Sequence, residues 1–292
     1  MRFALVDGQR RTAEKGLIGI CPACGGPVLA KCGEKKAHHW AHKRQCSDTW
    51  ATGKETDWHL DWKNCFPEAW QERILKDTQS GEKHIADILT EHNLVLEFQH
   101  SPIDPEERRA REYFYSQDGR RMVWVVDIRE KKNDQKRCES YILSKDKINK
   151  AYFIQNPEEC FPERWIASYF VPIIFDVKIW IPTDLEGGEC EEFLPCLISL
   201  LFYGVKKYSY KLFRKKYFIE LVKNGNFVNY IDRWYNKFYE YLCDKYKNND
   251  PSQIQVPVYV GRRTASGWRL SYRKKYSRKG GTRKTGGRSR KH

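Results

Sequence analysis

The stretch GEKHIADILTEHNLVLEFQHS (residues 81–101) reads as a β-hairpin whose apolar runs are interrupted by three polar side chains, Asp87, Glu97 and Gln99. HIADIL alternates around Asp87 and LVLEFQ around Glu97, the two-residue period of a strand with unlike faces. Glu97 and Gln99 therefore share one face, and Leu96 and Phe98 the other. Antiparallel pairing through TEHN brings Asp87 near Glu97 or Gln99. Two carboxylates at one spot repel each other unless a cation lies between them, and oxygen ligands of this kind suit Mg2+ or Mn2+. The Gln99 amide is no strong base and is expected to orient a water or a phosphate oxygen. A solvent-facing stripe on an edge strand would be written with the same letters.

Upstream, KETDWHLDWK places Glu55, His59 and Lys63 at four-residue intervals on one face of a helix expected over about Ser47 to Phe66. Packed beside the hairpin, that face would supply another metal ligand and a proton-transfer group. Metal-assisted hydrolysis of a phosphodiester needs such a set. Downstream, SPIDPEERRAREYFYS predicts a second helix, with Asp104 as N-cap, Pro105 in the first turn and Glu106 and Glu107 at the positive end of the dipole. Its Arg108, Arg109 and Arg111 form either a solvated face or contacts to phosphates, which Arg binds bidentately. Strand-like runs at about 69–75, 84–90 and 94–99, followed by RMVWVVD (121–127), complete the order helix, three strands, helix, strand. This order predicts an α/β (α+β) core. REKKNDQKR (129–137) reads as a charged linker. The second half is aromatic and reads as mainly helical, with Phe227, Ile231, Trp234, Phe238 and Leu242 on one stripe and KNG (223–225) as a helix stop.

The segment 21–46 carries CPACGGPVLAKCGEKKAHHWAH, a C-x2-C separated by fourteen residues from H-x2-H. Structural zinc sites take four N or S ligands in a closed tetrahedron. The expected set is Cys21, Cys24, His39 and His42, in a zinc-ribbon-like module with PVLAK as a returning strand. His38, Cys32 and Cys46 compete for the last two positions. The spacing is not that of a C2H2 finger. The other cysteines are scattered among the ten, which argues for a reducing cytosol with one metal site and against a disulfide framework.

The 292 residues are long enough for two modest domains with real cores, and 31% charged and 40% hydrophobic residues fit a soluble globular protein. The net charge of +15 is unevenly placed: residues 261–292 hold thirteen Lys and Arg and no acid, which leaves 40 basic against 38 acidic residues elsewhere. This tail, rich in Gly, Ser and Thr, is expected to be disordered, at least from about Lys279. Cations along it, Arg273, Lys274 and Lys275 among them, would release counterions from phosphates, and Trp268, Tyr272 and Tyr276 would stack on bases. MRFALVDGQRRTAEKG lacks the apolar core of a secretory signal, and FLPCLISLLFYGV (193–205) is too short for a membrane helix, so a cytoplasmic protein without a membrane partner is expected.

Taken together and in order, CPAC, HHWAH, ETDWHLDWK, HIADIL, LEFQHSPI and REYFY resemble competence protein CoiA-like proteins, a branch of the PD-(D/E)XK nucleases, over about residues 15–127. The resemblance implies a restriction-endonuclease-like mixed sheet flanked by helices, behind the zinc module, and metal-dependent cleavage of DNA. Asp87 matches the family's metal-binding Asp, Glu97 the acid of its next strand, Gln99 the position more often held by Lys, and Glu55 and His59 the polar residues of the first helix. Arg111 and Tyr115 match an Arg and a Tyr of the next helix. His84 stands where an Arg is expected, and the Gln99 departure leaves proton transfer to His59 or Lys63.

The expected organisation is a zinc-ribbon-like module over 1–46, a nuclease core over 47–137, a mainly helical aromatic-rich domain over 138–260 and a disordered basic tail over 261–292. The expected function is hydrolysis of incoming or foreign DNA with Mg2+ or Mn2+ held by Asp87, Glu97 and Glu55, structural Zn2+, and DNA contacts from Arg108, Arg111, Tyr115, Lys63 and the tail. A protein partner would dock on the helical domain. The rival readings are a non-catalytic DNA-binding or recruitment protein and a nuclease subunit active only with a partner.

Overall fold

The structure is a computed structural model that describes residues 1–34, 37–44, 46–48, 50, 55–78, 80–129, 132–143, 152–166, 168, 171–182, 190–202, 204–246, 258–264 and 267–273. Its first part is an antiparallel sheet of β1 (Phe3–Val6), β2 (Gln9–Thr12), β3 (Ile18–Ile20), β4 (Pro27–Lys31) and β5 (His39–His42), in the order β2-β1-β3-β4-β5. Ala4, Val6, Ala13, Val28 and Trp40 bury between its strands and loops, and Ile74 and Ile85 of the next sheet pack against them. The module is therefore seated on the sheet that follows.

That sheet has nine strands among the described residues. Its main path runs β10 (Tyr152–Ile154), β14 (Val205–Arg214), β13 (Cys190–Phe202), β11 (Ile173–Asp176), β9 (Arg121–Asp127), β8 (Leu94–Gln99), β7 (Lys83–Leu89), β6 (Gln71–Lys76), with β12 (Ile179–Pro182) added to β13. β8, β9 and β11 are parallel, and the outer pairs are antiparallel. β9 shows why the sheet is central: Val123 and Val125 join one apolar cluster, while Met122, Trp124 and Val126 join the other. A strand buried on both faces reads as a continuous apolar run. One cluster takes in α1 (Asp57–Asn64), α5 (Lys215–Lys223) and α6 (Asn226–Lys245); the other takes in α2 (Pro105–Tyr115), α3 (Lys132–Leu143) and α4 (Glu163–Ile166). The result is a three-layer α/β/α fold.

The α6 stripe is as expected, with Phe227, Ile231, Trp234, Phe238 and Leu242 all buried. At about 1.5–3 kcal/mol for each large apolar side chain, this packing outweighs the propensity terms of an isolated helix.

Three expectations need correction. The region 138–260 is not a mainly helical domain, because β10 to β14 extend the nine-stranded sheet itself. FLPCLISLLF is a central strand whose apolar run, interrupted only by Ser199, has no period to distinguish it from a buried helix. The segment 129–137 is not simply a linker: its described residues from Lys132 onward begin α3, which buries Cys138. The tail is not wholly without structure, since β15 (Val258–Thr264) and β16 (Gly267–Arg273) pair as a hairpin. Residues 274–292 lie outside the described residues. Among the described residues no helix is long and apolar enough to cross a membrane.

Candidate active site and cysteine–histidine cluster

Cys21, Cys24, His42 and Cys46 converge, with their ligand atoms all within 4.8 Å of one another. A tight turn makes the first pair: Gly25 N–H bonds to the Cys21 carbonyl at 2.8 Å, Cys21 N–H to the Gly26 carbonyl at 2.8 Å, and Gly26 N–H to Cys24 Sγ at 3.3 Å. Gly25 takes φ +71°, which favours glycine. Burial acts to raise the Cys24 thiol, but hydrogen bonds from Gly26, Cys21 and Cys46 prevail and lower it. Three thiols and an imidazole at this spacing suit a tetrahedral zinc ion, whose bonds of about 2.0–2.3 Å bring ligand atoms to within about 4 Å of each other.

His39 is a correction. It stands three residues before His42 on a strand, and an odd interval puts the two on opposite faces. His42 shares the inner face with buried Trp40, while His39 bonds through Nδ1 to the Ala37 carbonyl at 2.9 Å. Cys46 takes the fourth position.

The hairpin strands β7 and β8 pair at Ile88–Leu96 and Leu89–Val95, and the next opposed residues are Asp87 and Glu97. There the ladder gives way to side chains. Asp87 N–H donates to Glu97 Oε1 at 3.1 Å, and Phe98 N–H donates to Asp87 Oδ2 at 3.0 Å. Each carboxylate thus holds a backbone amide of the other's strand, and the two are fixed side by side. Glu97 is buried, and Arg111 of α2 bonds its Oε2 at 3.1 Å. Burial first, and then the charge of Asp87, push the Glu97 carboxyl from its ordinary 4.5 up to about 8, against the pull of Arg111. Opposed carboxylates of this kind are relieved by a divalent cation.

Lys63, on the last turn of α1, is buried with Nζ 2.7 Å from Glu55 Oε1, 3.1 Å from Glu72 Oε1 and 3.1 Å from Asp87 Oδ1. Burial alone would lower this ammonium; Asp87, Glu72 and Glu55 overcome it and hold it well above its ordinary value. Glu72 is held down to about 2: burial opposes ionisation, but Lys63 and the N–H groups of Arg2 and Phe3 more than compensate.

Glu72 was not legible as a site residue in a run that reads as an ordinary strand. It lies between the Gln71–Ile88 and Arg73–Ala86 pairs, hence opposite Asp87, with φ +45°. A backbone conformation so costly for a side chain marks a constrained position. Asp48 was also missed. It accepts from His84 Nδ1 at 2.8 Å and from Ile85 N–H at 2.9 Å, and the nearby Trp50 carbonyl accepts from Arg111 at 2.9 Å. The chain leaving Cys46 is thereby tied both to β7 and to the arginine on Glu97. His84, where an arginine was expected, is buried between Asp48 and Glu82.

The remaining expected residues are placed differently. Glu55 lies on Lys63, so it serves an ammonium before any metal. His59 uses both ring nitrogens within the chain: Nδ1 lies 2.8 Å from Thr56 Oγ1, and Nε2 bonds the Phe98 carbonyl at 3.1 Å. Burial lowers its imidazolium. These bonds make it a brace of β8 and not a free proton carrier. The Gln99 amide donates to the Ser101 carbonyl at 2.8 Å.

The DNA contacts expected from α1 and α2 need correction. Arg108 is buried beside Glu112, Trp165 and the Arg164 carbonyl. Tyr115 is buried and donates to the Ile85 carbonyl. Lys63 and Arg111 are enclosed by carboxylates. Helix periodicity gives the face but not which face turns inward, and these cations turn inward. Arg273 ends β16, whose side chains are not described, and Lys274 and Lys275 lie outside the described residues.

Residues 19–48 match the family model described as competence protein CoiA, N-terminal domain, and residues 74–162 match competence protein CoiA, nuclease-like domain. Competence protein CoiA of Bacillus subtilis (strain 168) is 28% identical over 137 residues, which cover 42% of this chain and 35% of that protein. The chain thus spans about a third of that relative's length. No solved structure matches. The first matched segment holds the cysteine–histidine cluster, and the second holds Asp87, Glu97 and Arg111. Over these two segments the chain is similar to the N-terminal domain and the nuclease-like domain of competence protein CoiA.

Proposed function

We propose that this protein is a Mg2+- or Mn2+-dependent deoxyribonuclease, carrying a structural zinc ion, that acts in the cytoplasm on incoming or foreign DNA. The observation that carries the reading is the pairing of Asp87 and Glu97 on diverging strands, each locked by an amide of the other's strand. The donor chemistry fits a divalent ion, because two apposed carboxylates, one of them held partly protonated, are what such an ion relieves. Asp87 and Glu97 would hold it. When bound, it would polarise a phosphoryl oxygen and lower the pKa of an attacking water.

The chain's own residues supply the rest. Arg111 fixes Glu97 and damps its charge, and His59 braces the Phe98 carbonyl between Glu97 and Gln99. Gln99, at the end of β8, would orient a phosphate oxygen. Since Lys63, Arg108 and Arg111 lie on carboxylates, the grip on DNA falls mainly to the basic C-terminal segment. Its strand β16 runs against α2, the helix that carries Arg111. The relative's name places that protein in competence, and uptake of DNA or defence against it are the settings in which such chemistry would serve here.

The test is digestion of supercoiled plasmid with Mg2+, with Mn2+ and with EDTA, using Asp87→Ala as control. Cleavage should require the metal and fall by more than about a hundredfold in the variant, since losing a ligand should cost at least what losing its hydrogen-bonded support does. Cleavage that survives both EDTA and Asp87→Ala refutes the reading. DNA binding without cleavage under every condition supports a recruitment protein instead.

A further inference from the structure

We propose that Lys63 is a resident cation of the catalytic centre, standing where a second divalent ion would otherwise bind, so that the centre takes one divalent ion per chain. The inference rests on the nuclease reading above and deepens it. An ammonium has three N–H donors. Lys63 Nζ faces three carboxylate oxygens, at 2.7, 3.1 and 3.1 Å, one each from Glu55, Glu72 and Asp87. Its donors are thus all taken, and the side chain is only 5% exposed. This is the arrangement of a cation inside an oxygen cage, with nitrogen in place of metal.

The cage cannot easily open. Glu72 is pinned from behind, each of its oxygens accepting the Arg2 N–H at 2.8 Å and Oε2 also the Phe3 N–H at 3.2 Å. Lys63 is fixed by the last turn of α1, whose Trp58 and Trp62 are buried and donate their indole N–H groups to Asp176. Displacing the ammonium would leave a buried cation without its partners, which is strongly unfavourable.

The charge balance points the same way. Glu55, Glu72, Asp87, Glu97 and Glu107, when ionised, carry five negative charges, and Lys63, Arg111 and the Met1 ammonium beside Glu55 contribute three positive ones. The deficit is that of one divalent ion, and it falls on the Asp87–Glu97 side, where no lysine reaches Glu97 among the described ion pairs. Glu55 is accordingly a positioning residue for Lys63 and not a metal ligand.

The experiment measures Mn2+ uptake by the full chain, using equilibrium dialysis with electron paramagnetic resonance of bound Mn2+ and zinc counted separately. Wild type should bind one Mn2+ with an uncoupled spectrum, Asp87→Ala none, and Glu55→Gln still one. Lys63→Met, if it folds, should bind two and show the spin coupling of neighbouring ions; Glu55→Gln keeps the test sharp if it does not. Two Mn2+ in wild type, with one lost in Glu55→Gln, overturns the role of Lys63 and leaves the nuclease reading standing. A Mn2+ that persists in Asp87→Ala lies elsewhere and also overturns it. No uptake by wild type, together with no plasmid cleavage, overturns the nuclease reading itself.

Discussion

Glu97 is the residue at which fold and proposed function conflict. Its carboxyl moves from 4.5 to about 8 because it is buried beside Asp87, so the folded state prefers the protonated form. The sign follows from linkage: a raised acid value means that the folded state binds the proton more tightly than the unfolded chain. Stability from this group is therefore present below about pH 4.5 and is lost as pH rises toward 8. Glu97→Gln removes the titration but keeps a carbonyl for the Asp87 N–H, and Arg111 keeps Glu107 and the Trp50 carbonyl. In the absence of divalent ions the variant should melt higher than wild type at pH 8, by on the order of 4 °C, and the gap should close near pH 4. Adding Mn2+ at pH 8 should raise the wild-type midpoint and leave the variant's unchanged. Thermal denaturation by circular dichroism at the two pH values decides it. A variant less stable than wild type at pH 8 would show that Arg111 outweighs Asp87.

At the scale of the element, strand parity decides which residues join the cysteine–histidine cluster. His39 and His42 fall on opposite faces of β5, and the fourth ligand, a third sulfur, arrives from Cys46 past the strand's end. Cys46→Ser and Cys21→Ser should therefore drop the zinc content from about one per chain to near zero, while His39→Ala keeps it. Atomic absorption on the purified proteins measures this. Loss of zinc in His39→Ala would refute the assignment. The same parity explains what could be read beforehand. The alternation of HIADIL and LVLEFQ needs only neighbours in the chain, so the hairpin and its paired acids were legible, as was the α6 stripe. Glu72 was not, because its meaning lies in the register of β6 against β7. Arg108 and Lys63 were visible as cations on helix faces, but their partners come from α4, from Glu72 and from Asp87, which the local pattern does not name. β13 was missed because a strand buried on both sides looks like any apolar run.

At the scale of the whole molecule, charge is divided between two jobs. Lys63, Arg111 and Arg121 of the folded body neutralise carboxylates within it, whereas residues 261–292 hold thirteen Lys and Arg without one acid. β15 and β16 pair with each other and not with the nine-stranded sheet, so removing them exposes no sheet edge. The backbone register pairs Arg262 with Arg269, in a segment, 261–292, that contains no acid. Nonspecific affinity for DNA falls with salt in proportion to the phosphates neutralised, with a logarithmic slope of about 0.9 per phosphate. Deleting residues 258–292 should accordingly weaken binding to a short duplex by about tenfold or more at low salt and lower the slope by several units. Zinc content and melting temperature should stay near those of the full chain. Fluorescence anisotropy of a labelled duplex across a salt series, on both proteins, measures the slopes. If they coincide, the DNA is held by the body after all, and some of the enclosed arginines of α2 must turn outward when it binds.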